Sequence, residues 1–191
     1  MTTTTRERLL RAGADLFFTR GITATGVDAV VRASGVSKPT LYAHFPSKRD
    51  LVAGVLEARW HDRRAELEAW LRSRPAGDGP VALLDWLAGW YAADERRGCA
   101  FLNAAAELVA PEDETARAVV RAEKRWVREV ATRLAEQAGL ADPAVVGSQV
   151  ALLVDGVAGR VLVEGPGAAV DALEDARAAA SLVVAAARVT P

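Results

Sequence analysis

Residues 37 to 48, SKPTLYAHFPSK, gather hydroxyls, a phenol, an imidazole and two ammonium groups within twelve positions. They lack the pairing of nucleophile and base that covalent chemistry needs. They suit hydrogen bonding and neutralisation of phosphate instead. Leu41 and Phe45, four apart, can pack inward, which leaves Lys38, Thr40, Tyr42 and His44 to the outward side of the helix. Ser37 precedes the helix as a cap, and Pro39 is tolerated because it falls in the first turn. Such a helix fits the major groove of DNA. Thr40 can bond a base edge or touch a thymine methyl, Tyr42 and His44 can reach phosphates, and Lys48 can neutralise one. Upstream, Thr25, Gly26 and Val27 open a short helix whose first backbone N–H groups form a natural phosphate seat.

The elements that must hold this face follow from apolar periodicity and breakers. A helix over 27–34 and a second over about 37–44 are joined by the turn Ser34-Gly35-Val36-Ser37. Val27, Val30, Val31, Val36, Leu41 and Phe45 can pack between them. Both are too short to be stable alone. They need a longer helix from about Thr5 to Arg20, with Leu9, Leu10, Gly13, Leu16 and Phe17 inward, and the start of a long helix capped by Ser47 and running from about 48 to 72. The spacing thus predicts a three-helix, helix-turn-helix head over 1–50, joined by that long helix to a body over 51–191.

The body reads as all helical, about nine helices for the whole chain, because Ala, Leu, Arg and Glu dominate and apolar residues recur at three and four. A linker is expected over Ser73–Pro80. Helices are expected over about 81–93, 98–109, 112–138, 143–164 and 168–187. Asp142-Pro143 has the form of an N-cap followed by proline at the first helical position.

Charge supports the division. Residues 1–50 hold eight basic and four acidic side chains, a net +4, whereas the whole chain carries −1 and the remainder therefore −5. The lone cysteine, Cys99, allows no intrachain disulfide and fits a reducing cytoplasm. The first residues hold no apolar run after the charge, which predicts no signal peptide, and uninterrupted apolar runs fall short of a membrane span. With two histidines, His44 and His61, no metal site is expected, and no cofactor.

The run from Thr25 to Leu51, T-x-V-D-A-V-V-R-A-S-G-V-S-K-P-T-L-Y-A-H-F-P-S-K-R-D-L, resembles the DNA-binding head of the TetR family of bacterial regulators. It departs from that pattern at Pro39, where glycine is common, and at Gly26, where a hydroxyl residue is common. The resemblance implies a homodimer, a palindromic operator, and an all-α body that holds a small-molecule inducer. The segment Arg97–Glu107 is similar to one seen in a branch of the same family.

In the body, Trp86 and Trp90 share a helix face and can converge with Phe101 and Trp126. These four, with Cys99, Asn103 and Asp155, form the candidate ligand-lining set; aromatic stripes at this spacing also serve as plain core. Cys99 reads either as a small buried hydrophobe or as a thiol activated by Arg96 and Arg97. Glu107, Glu123 and Asp155 read as helix-face residues or polar pocket linings. Trp60 and Trp70 read as packing between head and body. The last two helices, about 143–164 and 168–187, are expected to pair two chains. The first would use Val146, Val150, Leu153, Val154, Val157 and Val161, with Gly156 and Gly159 allowing close approach; the second would use Val170, Leu173, Val183 and Val184. The expected function is a DNA-binding, ligand-responsive repressor without enzymatic activity. The alternatives are a constitutive regulator or activator without ligand, and a small-molecule binder or enzyme whose helix-turn-helix is only structural.

Overall fold

A computed structural model describes residues 3–74, 79–92 and 98–188. Nine α-helices and two short 3-10 turns occur among them, and no β-strand. The helices are α1 (Thr5–Arg20), α2 (Val27–Ser34), α3 (Lys38–His44), α4 (Lys48–Arg72), α5 (Ala82–Ala92), α6 (Ala100–Glu107), α7 (Glu114–Gln137), α8 (Pro143–Glu164) and α9 (Ala169–Ala186). Arg96 and Arg97, the middle of the expected linker, and Ala93 lie outside the described residues.

The chain divides into two compact units. One comprises Met1–Arg64 with Ala100–Glu123, the other Ala65–Cys99 with Lys124–Pro191. The expected head is contained in the first unit, which also takes in the start of α4, all of α6 and the start of α7.

In the first unit, local chemistry sets the helix ends. Thr4 and Glu7 close a reciprocal capping box on α1: the Thr4 N–H donates to Glu7 at 2.8 Å and the Glu7 N–H to Thr4 Oγ1 at 3.2 Å. Gly35 ends α2 in the left-handed region at φ +61°, a conformation glycine takes without steric cost. Ser47 caps α4 by accepting the Asp50 N–H at 3.2 Å. Leu9, Val30, Leu41, Leu51 and Leu56 are fully buried, and Phe17 and Phe45 nearly so. Gly13 lets α1 approach α4, and Gly54 of α4 leaves room for Phe45. A Cβ at Gly13 would lie 2.9 Å from Val55, and one at Gly54 would lie 2.8 Å from the Phe45 ring. Deeper in the same unit Arg63 donates to Glu123 at 2.7 Å, both buried. Glu123 is thus the partner of a buried cation rather than a helix-face residue.

In the second unit α8 packs chiefly on α9, and both meet α5. Here the sequence expectation is corrected. Val146, Val150, Val154, Val157 and Val161 are buried inside the unit, as is Leu173, so that stripe is core and not a free interface. The unpartnered apolar residues are Val145, Leu152, Leu162 and Val163 on α8 with Val170 and Leu182 on α9. Valine and leucine line more than one side of α8, so periodicity alone could not choose the face. The close approach falls at Gly147, where a Cβ would collide with Thr132 of α7, while a Cβ at Gly156 or Gly159 would meet nothing within 4 Å. Asp142 does precede α8, but with φ +47° and no side-chain cap bond, so it is no conventional N-cap. By length and mean hydropathy, 1.5 over its apolar window, α8 is the one described helix long and apolar enough to cross a membrane, although Asp155 and Arg160 break its apolar sequence into the short runs expected. Its buried valine row accounts for part of that apolarity as protein core.

Candidate nucleic-acid interface

The second short helix is built to present its outer side. Leu41 anchors α3 in the core with no exposure. Ser37 caps it, accepting the Thr40 N–H at 3.3 Å and sharing a 2.7 Å hydrogen bond between the two hydroxyls. The hydroxyl pair holds Thr40 at the start of the helix. Around it Lys38, Pro39, Tyr42 and His44 are exposed, Tyr42 by 41%. That exposure leaves the Tyr42 phenol within reach of a partner outside the protein.

Lys38 does not stand alone on this face. Its ammonium lies 2.9 Å from Asp28 of α2, both side chains more than half exposed. The Lys38 hydrogen bond and charge hold the Asp28 carboxyl below its ordinary value, and Asp28 in turn raises Lys38. The pair ties α2 to α3 across the turn.

The proposed phosphate seat differs in detail from expectation. Thr25 is 2% exposed. Its hydroxyl donates inward to the Gly21 carbonyl at 2.7 Å, and its N–H donates to the Ile22 carbonyl at 3.3 Å. Thr25 therefore shapes the turn and does not itself offer a donor outward. The seat is left to Gly26, the N-cap of α2, to half-buried Val27, and to the first-turn N–H groups, which have no side-chain cap. These donors, at the positive end of a helix dipole, fit an anion.

Lys48 also has a partner that its sequence position does not reveal. Its ammonium donates to the Ile22 carbonyl at 2.5 Å, and partial burial lowers its pKa. An ammonium carries three donors, so a phosphate bond is compatible with this anchoring. Arg8 closes the other end of the motif, donating to the Ser34 carbonyl at 2.6 Å and so capping α2.

The candidate ligand residues fall in both units. Phe101, fully buried, and Asn103 belong to the first; Trp86, Trp90, Cys99, Trp126 and Asp155 belong to the second. Within the second unit the Trp86 and Trp90 rings lie 6.4 Å apart, and Tyr91 meets Trp90 edge-on at 5.3 Å. Lys124, which sequence reasoning did not single out for this set, joins two of its members: its ammonium lies 2.6 Å from Asp155 and 3.5 Å from the Cys99 sulfur. Cys99 is buried immediately before α6. No group of three or more metal-ligating side chains occurs among the described residues.

Comparison with known proteins meets the same segment. The family described as "Bacterial regulatory proteins, tetR family" matches residues 9–55. The transcriptional activator FasR of Mycolicibacterium smegmatis is 46% identical over 52 residues, 27% of this chain and 24% of that protein. The transcriptional repressor DhaR of a Mycobacterium species is 27% identical over 127 residues, 66% of this chain and 63% of that protein. The first curated relatives are thus matched over about a quarter of their length, 24% and 27%. Among solved structures, a TetR-family regulator from Streptomyces coelicolor superposes with a TM-score of 0.79 at 28% identity, covering 96% of this chain and 95% of that one.

Proposed function

The chain belongs to the TetR family of bacterial regulatory proteins, and on that premise we propose that it is a sequence-specific DNA-binding transcriptional regulator. The observation that carries the reading is the outer side of α3. Thr40 is fixed by Ser37 while Tyr42, Lys38 and His44 stand exposed over a core sealed by Leu41 and Val30. Thr25, Gly26, Val27, Ser37, Lys38, Pro39, Thr40, Tyr42, His44 and Lys48 make up the proposed contact set, with Thr25 acting through the turn. Selection of a duplex from a randomised pool by the full chain tests it. Affinity for that duplex should fall steeply as salt rises, because phosphate contacts release counterions.

The finer reading is a homodimeric repressor on a palindromic operator. The exposed face of α8 and α9 supports pairing. Leu152 and Val163 are 69% and 83% exposed, and the helix surface at Gly156 and Gly159 is open to a second backbone. Two heads separated by about one DNA turn would read two half-sites. The relatives named above include an activator matched over 52 residues, 27% of this chain, and a repressor matched over 127 residues, 66% of it; the broader match supports repression. A ligand held in the body is the proposed inducer, with Trp86, Trp90, Cys99, Trp126 and Asp155 of the second unit as its candidate lining. Operator and inducer would then prefer different spacings of the two heads, and each should weaken the other by the same factor.

A further inference from the structure

Glu107, the last residue of α6, grips the turn between α1 and α2 by its backbone. One carboxylate oxygen accepts the Ile22 N–H at 3.1 Å and the other accepts the Thr23 N–H at 2.7 Å. The same Ile22 peptide is held on its other side, where its carbonyl accepts the Lys48 ammonium at 2.5 Å. Gly21 has φ +93°, and a Cβ there would lie 3.2 Å from a Glu107 oxygen. The turn therefore comes as close to the carboxylate as a backbone can. Three residues beyond Thr23 lies Gly26, whose end of α2 offers its N–H groups without a side-chain cap.

We propose that Glu107 is a positioning residue for DNA binding: it fixes the turn Gly21–Thr25, and so the aim of the α2 N-terminus and of Lys48, from a helix outside the DNA-reading motif. The inference rests on the DNA-binding reading above. Three features support it. Glu107 is itself held firmly, because Phe101, Ala104 and Leu108, on one face of α6 and just after it, are buried. A carboxylate bonded to two consecutive amides fixes direction as well as distance. The apolar core of the head, with Leu9, Val30, Leu41 and Leu51 fully buried, does not include the Glu107 carboxylate. A second tether runs parallel to the first: Arg49 donates to Asp113 at 3.1 Å. It leaves the segment after α6 attached when Glu107 is changed.

The charge of Glu107 matters as much as its reach. It is a negative group beside Lys48 and favours the charged ammonium there. Removing it should leave or raise general attraction to DNA while loosening the aim of the donors. Loss of specificity without loss of non-specific affinity is the signature of positioning, and a merely destabilised protein would lose both.

The test compares the full chain with Glu107→Ala and with the isosteric Glu107→Gln, which keeps one acceptor and turns an amide donor toward the second N–H. Two quantities are read: amide hydrogen exchange at Ile22 and Thr23, and affinity for the duplex selected by the unaltered chain beside a scrambled duplex of equal length. Both amides should exchange about tenfold faster in Glu107→Ala, with the selected duplex bound about tenfold more weakly and the scrambled one no more weakly than before. Glu107→Gln should fall between. Unchanged exchange, or faster exchange with unchanged discrimination between the duplexes, overturns the inference. If the unaltered chain selects no duplex, the DNA-binding reading itself fails, and this inference with it.

Discussion

Asp28 and Lys38 face each other at 2.9 Å, one at the start of α2 and the other at the start of α3. The strongest cation on the exposed side of α3 is therefore already engaged by a carboxylate of the same motif. A phosphate approaching Lys38 must compete with Asp28. Asp28→Asn should tighten binding to DNA of any sequence and steepen its dependence on salt, because Lys38 is released and a negative charge is removed. Fluorescence anisotropy on a selected and a scrambled duplex checks this. Weaker binding to both would show that the pair is needed to hold the motif.

The same pair fixes the sign of a pH effect. Asp28 is held below its ordinary 3.8 by Lys38. Its contribution is present above 3.8 and is lost as pH falls through the lowered folded value. Lys38 is held above its ordinary 10.5, so its contribution is present below 10.5 and is lost as pH rises through the raised value. Between these limits the pair should be silent to pH. Carboxyl titration by NMR should show the Asp28 value moving back up toward 3.8 in Lys38→Ala.

The buried pair Arg63–Glu123 makes the opposite kind of claim. Its side chains are 7% and 0% exposed, and the bond is 2.7 Å. Breaking one partner leaves a buried charge unmatched, which costs about 3–5 kcal/mol, whereas replacing both by apolar side chains of similar volume is near neutral. Glu123→Ala should lower the thermal midpoint by many degrees. The double variant Arg63→Met with Glu123→Leu should recover most of it. Equal losses for both would mean that the pair is net stabilising beyond its mutual compensation.

Pairing of two chains has a direct handle in Leu152. It is 69% exposed and lies well away from the buried valine row. Leu152→Glu should leave the protomer's thermal midpoint nearly unchanged, since an exposed site loses little on folding. In sedimentation it should shift the protein from dimer to monomer, and binding to a palindromic duplex should drop while a single half-site is unaffected. A variant that remains a dimer would move the interface off α8.

Much of the head was legible because its signals are local. Gly35 marks the end of α2, Ser37 and Ser47 cap the helices that follow them, and the inward residues Val30, Leu41 and Phe45 recur at helical spacing. The free face of α8 was not, since valine and leucine occupy both sides of that helix and only packing against α9, α7 and α5 selects the buried one. Thr25 was legible as part of the turn but not in the direction of its hydroxyl, which depends on the carbonyl of Gly21 four residues earlier. The role of Glu107 was not legible for a plainer reason: its partner amides lie 85 and 84 residues away, and a glutamate at a helix end carries no local mark of them.

The central claim is that the exposed side of α3 reads DNA. Tyr42 tests it most directly. It is exposed, it is not part of the core, and it lies on the same short helix as Thr40. The measurement is the affinity of the full chain and of Tyr42→Ala for the selected duplex at several salt concentrations. Loss of a base or phosphate contact should weaken binding by about tenfold or more, a cost of about 1–3 kcal/mol, with the thermal midpoint unchanged. Equal affinity of the two proteins for that duplex, at every salt concentration, would contradict the account.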